Sequence, residues 1–286
     1  MIPAAFDYTR ASSVEEALGI LASDEGAKLI AGGQSLLPLM KLRLARPARL
    51  VDIGRLSELR GITRLDDGRL SVGALATYAE LLDSPAVHYG VLKDVLPRIA
   101  DVQVRNRGTI GGAVAHADPA ADLPAALLAL DAELVLQSSS RTRTVKVDGF
   151  FRGAFATALD RDELVTAVIL PAPRVDAGSA YASIEQRASG YPIAGVAAVV
   201  ILGGGGVIER AMIGVTGVSD RPYRAVEAEA ALSGTTGSDE AVAAAAALVV
   251  GDREVNADIH AGRAYRRAMA AVHAKRAIEA ALVRVR

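Results

Sequence analysis

Apolar positions along the chain fall into two periods, and the changes of period mark the elements. Val14, Ala17, Leu18 and Leu21 stand at helical spacing behind Ser12-Ser13-Val14-Glu15-Glu16, where each serine has a glutamate three residues on. These overlapping capping boxes predict a helix that closes at Asp24-Glu25-Gly26. Residues 27–31 and 50–53 are short apolar runs of strand length, with a loop between them. Residues 62–65 and 69–72 flank Asp66-Asp67-Gly68 and read as a hairpin. Thr77-Tyr78-Ala79-Glu80 is a further capping box, and Val91, Leu92, Val95, Leu96 and Ile99 form one helical stripe. Residues 102–107 alternate apolar and polar and are expected to be extended; a helix after Asp118-Pro119 carries Leu123, Leu127, Leu128 and Leu130. Residues 132–137 and 143–147 pair as a second hairpin, and residues 163–170 form a buried strand stopped by Pro171.

Turn-forming residues at 171–178 mark a boundary. Beyond it, residues 181–187, 193–202 and 211–216 predict three strands, the last two joined by a turn at Gly203-Gly204-Gly205-Gly206. Helices at about 224–232, 239–250 and 260–282 finish the chain. Strands followed by helices indicate a separate α+β unit. The division is therefore 1–175, with parts at about 1–57 and 58–175, and 176–286.

Composition removes several classes of function. With 32 basic and 33 acidic residues, net charge −1, the chain has no electrostatic footprint for nucleic acid or an anionic membrane. It has no cysteine, which excludes disulfides, thiolate catalysis and cysteine-held iron–sulfur clusters within it. The four histidines, His88, His116, His260 and His273, lack metal-ligand spacing, so no metal site is expected. Residues 1–8 carry neither a basic n-region nor an apolar h-region, and the longest apolar runs are about half of the ~20 residues that span a bilayer. A soluble, cytoplasmic protein without stable membrane insertion is expected.

No triad or telling carboxylate pair stands out, and no catalytic residue is assigned. His116 beside Asp118 reads as a hydrogen-bonded structural residue. The informative stretches are rich in glycine. Ala31-Gly32-Gly33-Gln34-Ser35 follows a strand and leads into Leu36-Leu37-Pro38. Successive N–H groups in such a turn can face one anion, and glycine lets a ligand or another backbone come close. The stretch is neither a G-x-G-x-x-G fingerprint nor a P-loop. About eighty residues later, Gly108-Thr109-Ile110-Gly111-Gly112-Ala113 precedes His116-Ala117-Asp118-Pro119-Ala120-Ala121-Asp122. Two such loops suit the two sides of a diphosphate-bearing cofactor.

These motifs, together with Gly190-Tyr191-Pro192-Ile193-Ala194-Gly195-Val196, resemble the FAD-binding medium subunit of molybdenum hydroxylases. The similarity is to the aerobic carbon monoxide dehydrogenase type, with the xanthine dehydrogenase flavin domain a more distant relative. It runs from Pro3 to the last helix. It implies an α+β fold: a two-part FAD-binding domain of the vanillyl-alcohol oxidase and MurB type, then a C-terminal domain of a three-stranded antiparallel sheet and a helical bundle. It implies non-covalent FAD, held on one side by Ala31, Gly32, Gly33, Gln34, Ser35 and Leu36 and on the other by Thr109, Ile110, Gly111, Gly112 and Ala113. Asp122 aligns with an acid that contacts the cofactor in relatives, Val165 would lie against it, and Tyr191 would stand near the isoalloxazine and control access to it. The resemblance implies two partners, a small subunit with two [2Fe–2S] clusters and a large subunit with the molybdenum cofactor, as a dimer of heterotrimers.

The pattern departs from relatives at Gln34, often His, at Ala113, often Asn or Ser, and at Ser183-Ile184-Glu185-Gln186, where a lysine is usual. A cation near the flavin must then be Arg187 or come from elsewhere. Two other readings stay open: a free-standing FAD oxidase, which needs a substrate base near the flavin, and a cofactor-less assembly subunit. The substrate of the complex and the electron acceptor, whether quinone, NAD or oxygen, are not written in this chain.

Overall fold

The computed structural model describes residues 1–285. The first part runs β1 (Asp7–Arg10), α1 (Val14–Ser23), β2 (Ala27–Ile30), α2 (Leu36–Lys41) and β3 (Arg49–Asp52). Its three strands form a parallel sheet in the order β1-β3-β2. The predicted stripe of α1 is its buried face, and Ser13 caps it by accepting from the Glu16 N–H at 3.2 Å. Glu16 in turn binds the Ser12 hydroxyl and N–H, at 2.5 and 2.7 Å. Strand β1 is not apparent in the sequence, because its Asp-Tyr-Thr-Arg is mostly exposed and carries no apolar alternation.

The second part contains β4 (Ile62–Arg64), β5 (Leu70–Gly73), α3 (Tyr78–Leu82), α4 (Gly90–Val95), α5 (Val102–Arg105), α6 (Ile110–His116), α7 (Asp122–Ala129), β6 (Glu133–Gln137), β7 (Thr142–Lys146), the small pair β8 (Phe151–Gly153) and β9 (Ala156–Thr157), and β10 (Leu164–Leu170). Both expected hairpins are present, joined by β10 into an antiparallel sheet ordered β4-β5-β10-β6-β7. The capping box at Thr77 forms with both of its hydrogen bonds. Residues 102–105 are helical rather than extended. The Asp101 carboxylate accepts from the Val104 N–H at 2.8 Å, and this cap outweighs the alternation of Val102-Gln103-Val104-Arg105.

The third part has β11 (Ala177–Glu185), β12 (Pro192–Leu202), β13 (Ile208–Thr216), β14 (Tyr223–Arg224), α8 (Val226–Leu232), α9 (Asp239–Ala247) and α10 (Arg263–Val285). The three expected strands form an antiparallel sheet, and β14 adds a short fourth at its edge. One face of this sheet packs under α10, α8 and α9 through Val196, Val200, Ile213, Ala274 and Ile278. The other face, with Tyr181, Ala197, Val199 and Met212, joins the core of the second part. That core also contains Leu92, Leu123, Leu127 and Val168. Arg284 near the end of α10 reaches Asp94 on α4, at 2.6 and 2.8 Å. Among the described residues, no helix is long and apolar enough to cross a membrane.

Candidate functional site

The first glycine stretch connects β2 to α2. The N–H groups of Gly32, Gly33, Gln34, Ser35 and Leu36 donate to no acceptor among the described residues; the first satisfied amide is that of Leu37, which bonds the Gly33 carbonyl at 3.0 Å. Gly33 has φ +76°, a left-handed conformation, and Ser35, two residues on, is right-handed. A left-handed residue in such a turn can bring neighbouring N–H groups toward one concavity that suits an anion. The Ser35 hydroxyl makes no cap hydrogen bond and is free to add a donor.

The second stretch meets the first directly. A Cβ built on Gly32 would fall 2.0 Å from the Arg107 carbonyl oxygen and 3.2 Å from the Gly108 Cα, so only glycine lets the two backbones touch. Ala31, Gly32 and Thr109 line one cavity of about 480 Å³ with Arg60, Thr77 and Arg107.

Residues 110–113 are not a loop, however. They form the first turn of α6, capped by the Thr109 hydroxyl, which accepts from the Gly112 N–H at 3.1 Å. The Ile110 and Gly111 amides bond the carbonyls of Ala76 and Ala74, and the Ala113 amide bonds that of Thr109. Their donors are therefore spent inside the protein. Gly111 is required by close packing: its Cβ would lie 2.5 Å from that of Ala74. On this side the free donors are the Thr109 N–H, which has no acceptor among the described residues, and the Thr109 hydroxyl hydrogen. The two stretches thus converge but contribute unequally.

The remaining predicted residues lie deeper or farther along. Asp122 opens α7 at 6 % exposure, and its Oδ1 accepts from the Tyr181 hydroxyl at 2.7 Å. Burial pushes its pKa up to about 7, against the Tyr181 hydrogen bond, which favours the anion. Val165 sits in the main core, one residue before a bulge in the pairing of β10 with β6, and lines neither of the two cavities. Tyr191 is 45 % exposed at the head of β12, behind Gly190 with φ +74°. It lines a second cavity of about 360 Å³ with Asp118, Gln186, Asp258, His260 and Arg266. Asp122 and Tyr191 are close enough for the carboxylate to raise the phenol's pKa, an effect second to burial and Asp118.

His116 is half-buried, its ring 5.1 Å from that of Phe155, and burial lowers its pKa. Glu185 on β11 pairs with Arg98 at 3.0 Å. Sequence reasoning missed Tyr181: it is 59 residues from Asp122 and belongs to no motif.

Five unpartnered amides abutting a second turn through Gly32, on a split α/β and antiparallel framework, suit a dinucleotide-binding flavoprotein domain. Residues 4–173 match the family described as the FAD binding domain in molybdopterin dehydrogenase, and residues 179–281 match the carbon monoxide dehydrogenase flavoprotein C-terminal domain. The chain belongs to this family of oxidoreductase FAD subunits. It is 40 % identical to the carbon monoxide dehydrogenase medium chain of Hydrogenophaga pseudoflava, with 99 % of each chain covered. It is 38 % identical to the glyceraldehyde dehydrogenase medium chain of Sulfolobus acidocaldarius, covering 93 % of this chain and 95 % of that one. Among solved structures, a chain of Hydrogenophaga pseudoflava carbon monoxide dehydrogenase lacking the Mo-pyranopterin moiety superposes with a TM-score of 0.95 at 41 % identity, over 99 % of both chains.

Proposed function

We propose that this chain holds one FAD non-covalently and serves as the electron-passing subunit of a cytoplasmic molybdenum hydroxylase of the carbon monoxide dehydrogenase type. Its partners are an iron–sulfur small subunit and a molybdenum large subunit, assembled as a dimer of heterotrimers. Residues 1–175 bind the cofactor, and residues 176–286 form a second domain that closes against them.

The observation that carries this reading is the run of five unpartnered amides at 32–36, in contact with the Thr109 turn through Gly32. These amides and the Ser35 hydroxyl bind the pyrophosphate, Thr109 adds its N–H and hydroxyl from the far side, and Ala31 and Leu36 frame the turn. Ile110, Gly111, Gly112 and Ala113 act by holding Thr109 in place and keeping α6 tight against Ala74. Asp122 contacts the cofactor from α7, Val165 backs the cleft from the core, and Tyr191 limits access to the flavin ring. When bound, FAD supplies the exchange between one-electron and two-electron transfer.

Because the chain has no cysteine, electrons reach it across an interface with the iron–sulfur subunit and leave to an external acceptor. Full-length similarity to medium chains favours this reading over a free-standing oxidase. Purified chain is expected to show flavin absorbance, to release all its FAD on heat denaturation, and to show weak or no oxidation of an organic substrate unaided. Turnover of such a substrate by the chain alone rejects the subunit assignment.

A further inference from the structure

Residues 26–51 carry five cations, Lys28, Lys41, Arg43, Arg46 and Arg49, and no acid, although the charges of the whole chain nearly cancel. Arg49 is answered by Asp24 at 3.3 Å. Lys41, Arg43 and Arg46 are all exposed, and among the described residues no carboxylate pairs with them. Leucines stand between these cations: Leu42 is 53 % exposed and Leu44 73 %. Leu37, also exposed, lies one turn before Lys41 on the same face of α2. The segment is not a loose loop. Helix α2 ends in a complete Schellman motif, in which the Arg43 N–H donates to the Met40 carbonyl and the Leu44 N–H to the Leu39 carbonyl, both at 2.9 Å. Arg46 Nε braces the turn from the Arg43 carbonyl at 3.1 Å. Two features of the motif are unusual. Its left-handed position, normally glycine, is Arg43 at φ +60°. The next residue, normally folded back onto the helix, is Leu44, which stays exposed.

A strained arginine beside a leucine held out of the fold, in a segment with no acid of its own, describes a surface that another molecule completes. The surface is continuous with the first glycine stretch. A Cβ built on Gly33 would lie 2.9 Å from the Leu37 Cδ1, so this leucine rests against the turn that carries the free amides of 32–36. A chain without cysteine takes its electrons from a partner, and that partner must dock near the cofactor turn. We propose that Leu37, Leu42 and Leu44, rimmed by Lys41, Arg43 and Arg46, form the docking surface for the iron–sulfur subunit, which meets them with an apolar centre edged by carboxylates. This rests on the subunit reading above. Burial of the leucines supplies affinity, and the unpaired cations select and orient an acidic partner.

The test uses the full chain together with the iron–sulfur and molybdenum subunits of the complex. Association with those two subunits is measured for the wild type, for Leu42→Ser/Leu44→Ser and for Arg43→Gly, beside the FAD affinity and urea midpoint of each chain. The double variant, altered only at exposed positions, is expected to associate at least about tenfold more weakly and to bind FAD as the wild type does. Arg43→Gly, relieved of its left-handed strain, should unfold at higher urea yet associate more weakly, with a shallower loss on adding salt. A merely structural segment gives the higher urea midpoint with association unmoved, which overturns the proposal. So does a double variant that loses FAD and partner in equal measure. Binding to phosphatidylglycerol vesicles distinguishes a lipid surface: loss there with association intact assigns the patch to a membrane and overturns the proposal. Wild-type chain that forms no complex rejects the subunit reading and this proposal together, whereas a complex that assembles equally well with the double variant rejects this proposal alone.

Discussion

Replacing Gly32 by alanine places a methyl group where the two glycine stretches touch. The added Cβ would meet the Arg107 carbonyl oxygen at 2.0 Å and its carbonyl carbon at 2.7 Å, against about 3.4 Å for ordinary contact, so the backbones must part by about 1.4 Å. No flexible side chain can yield, because the atoms in the way are main chain. Overpacking of this kind costs about 1–3 kcal/mol, and a factor of ten in affinity corresponds to about 1.4 kcal/mol. If the junction aligns the amides of 32–36 with Thr109, the variant binds FAD about 10- to 100-fold more weakly. The assay is quenching of flavin fluorescence on titration of apoprotein, with Gly19→Ala as control, since a Cβ at Gly19 meets nothing within 4 Å. A Gly32→Ala chain that folds and binds FAD as tightly as the Gly19→Ala chain refutes the reasoning.

Thr109→Val removes the acceptor of the Gly112 N–H and should cost about 1 kcal/mol of stability, read as a shift in urea midpoint, together with part of the FAD affinity. Glu163, 1 % exposed, bonds Arg143 at 2.6 and 2.7 Å, and that contact chiefly holds its carboxyl down at about 2. This stability is present above the ordinary glutamate range and lost as pH falls toward 2, so Glu163→Gln should cost about 2 kcal/mol at neutral pH, with the gap closing below about pH 4 in urea unfolding. Asp122 has the opposite sign: its folded pKa of about 7 exceeds the ordinary 3.8, so stability present below about pH 4 is lost as pH rises to 7. Apo Asp122→Asn should therefore be more stable than wild type by about 1–3 kcal/mol near pH 8, converge with it near pH 4, and bind FAD less well.

The elements were legible wherever a local signal and the burial pattern agreed. The Ser13 cap, the capping box at Thr77, the Asp67-Gly68 hairpin and the three long C-terminal strands follow from side chains within a few residues of one another. The Glu16 carboxylate, however, bonds Ser12 instead of closing the expected box on Ser13. The misreading of 102–105 arose because four residues alternate by chance while a single Asp101 cap decides the conformation. Of the site, the first glycine stretch could be read directly, since free amides are what a turn between strand and helix leaves. The second was recognised as a motif, but the work of its glycines was not visible: whether Gly111 admits a ligand or a neighbouring chain depends on Ala74, 37 residues away in sequence. Tyr181 left no trace at all, because a tyrosine in a half-buried strand looks like core until its partner is known.

The central claim is that the cofactor is gripped by its phosphates. Calorimetric titration of apoprotein with FAD and with riboflavin, which shares the ring but lacks the pyrophosphate, tests it most directly. The account predicts one FAD per chain and riboflavin binding weaker by more than about a hundredfold, the equivalent of losing two charge-assisted hydrogen bonds. Riboflavin bound as tightly as FAD, or no binding of FAD, would contradict it.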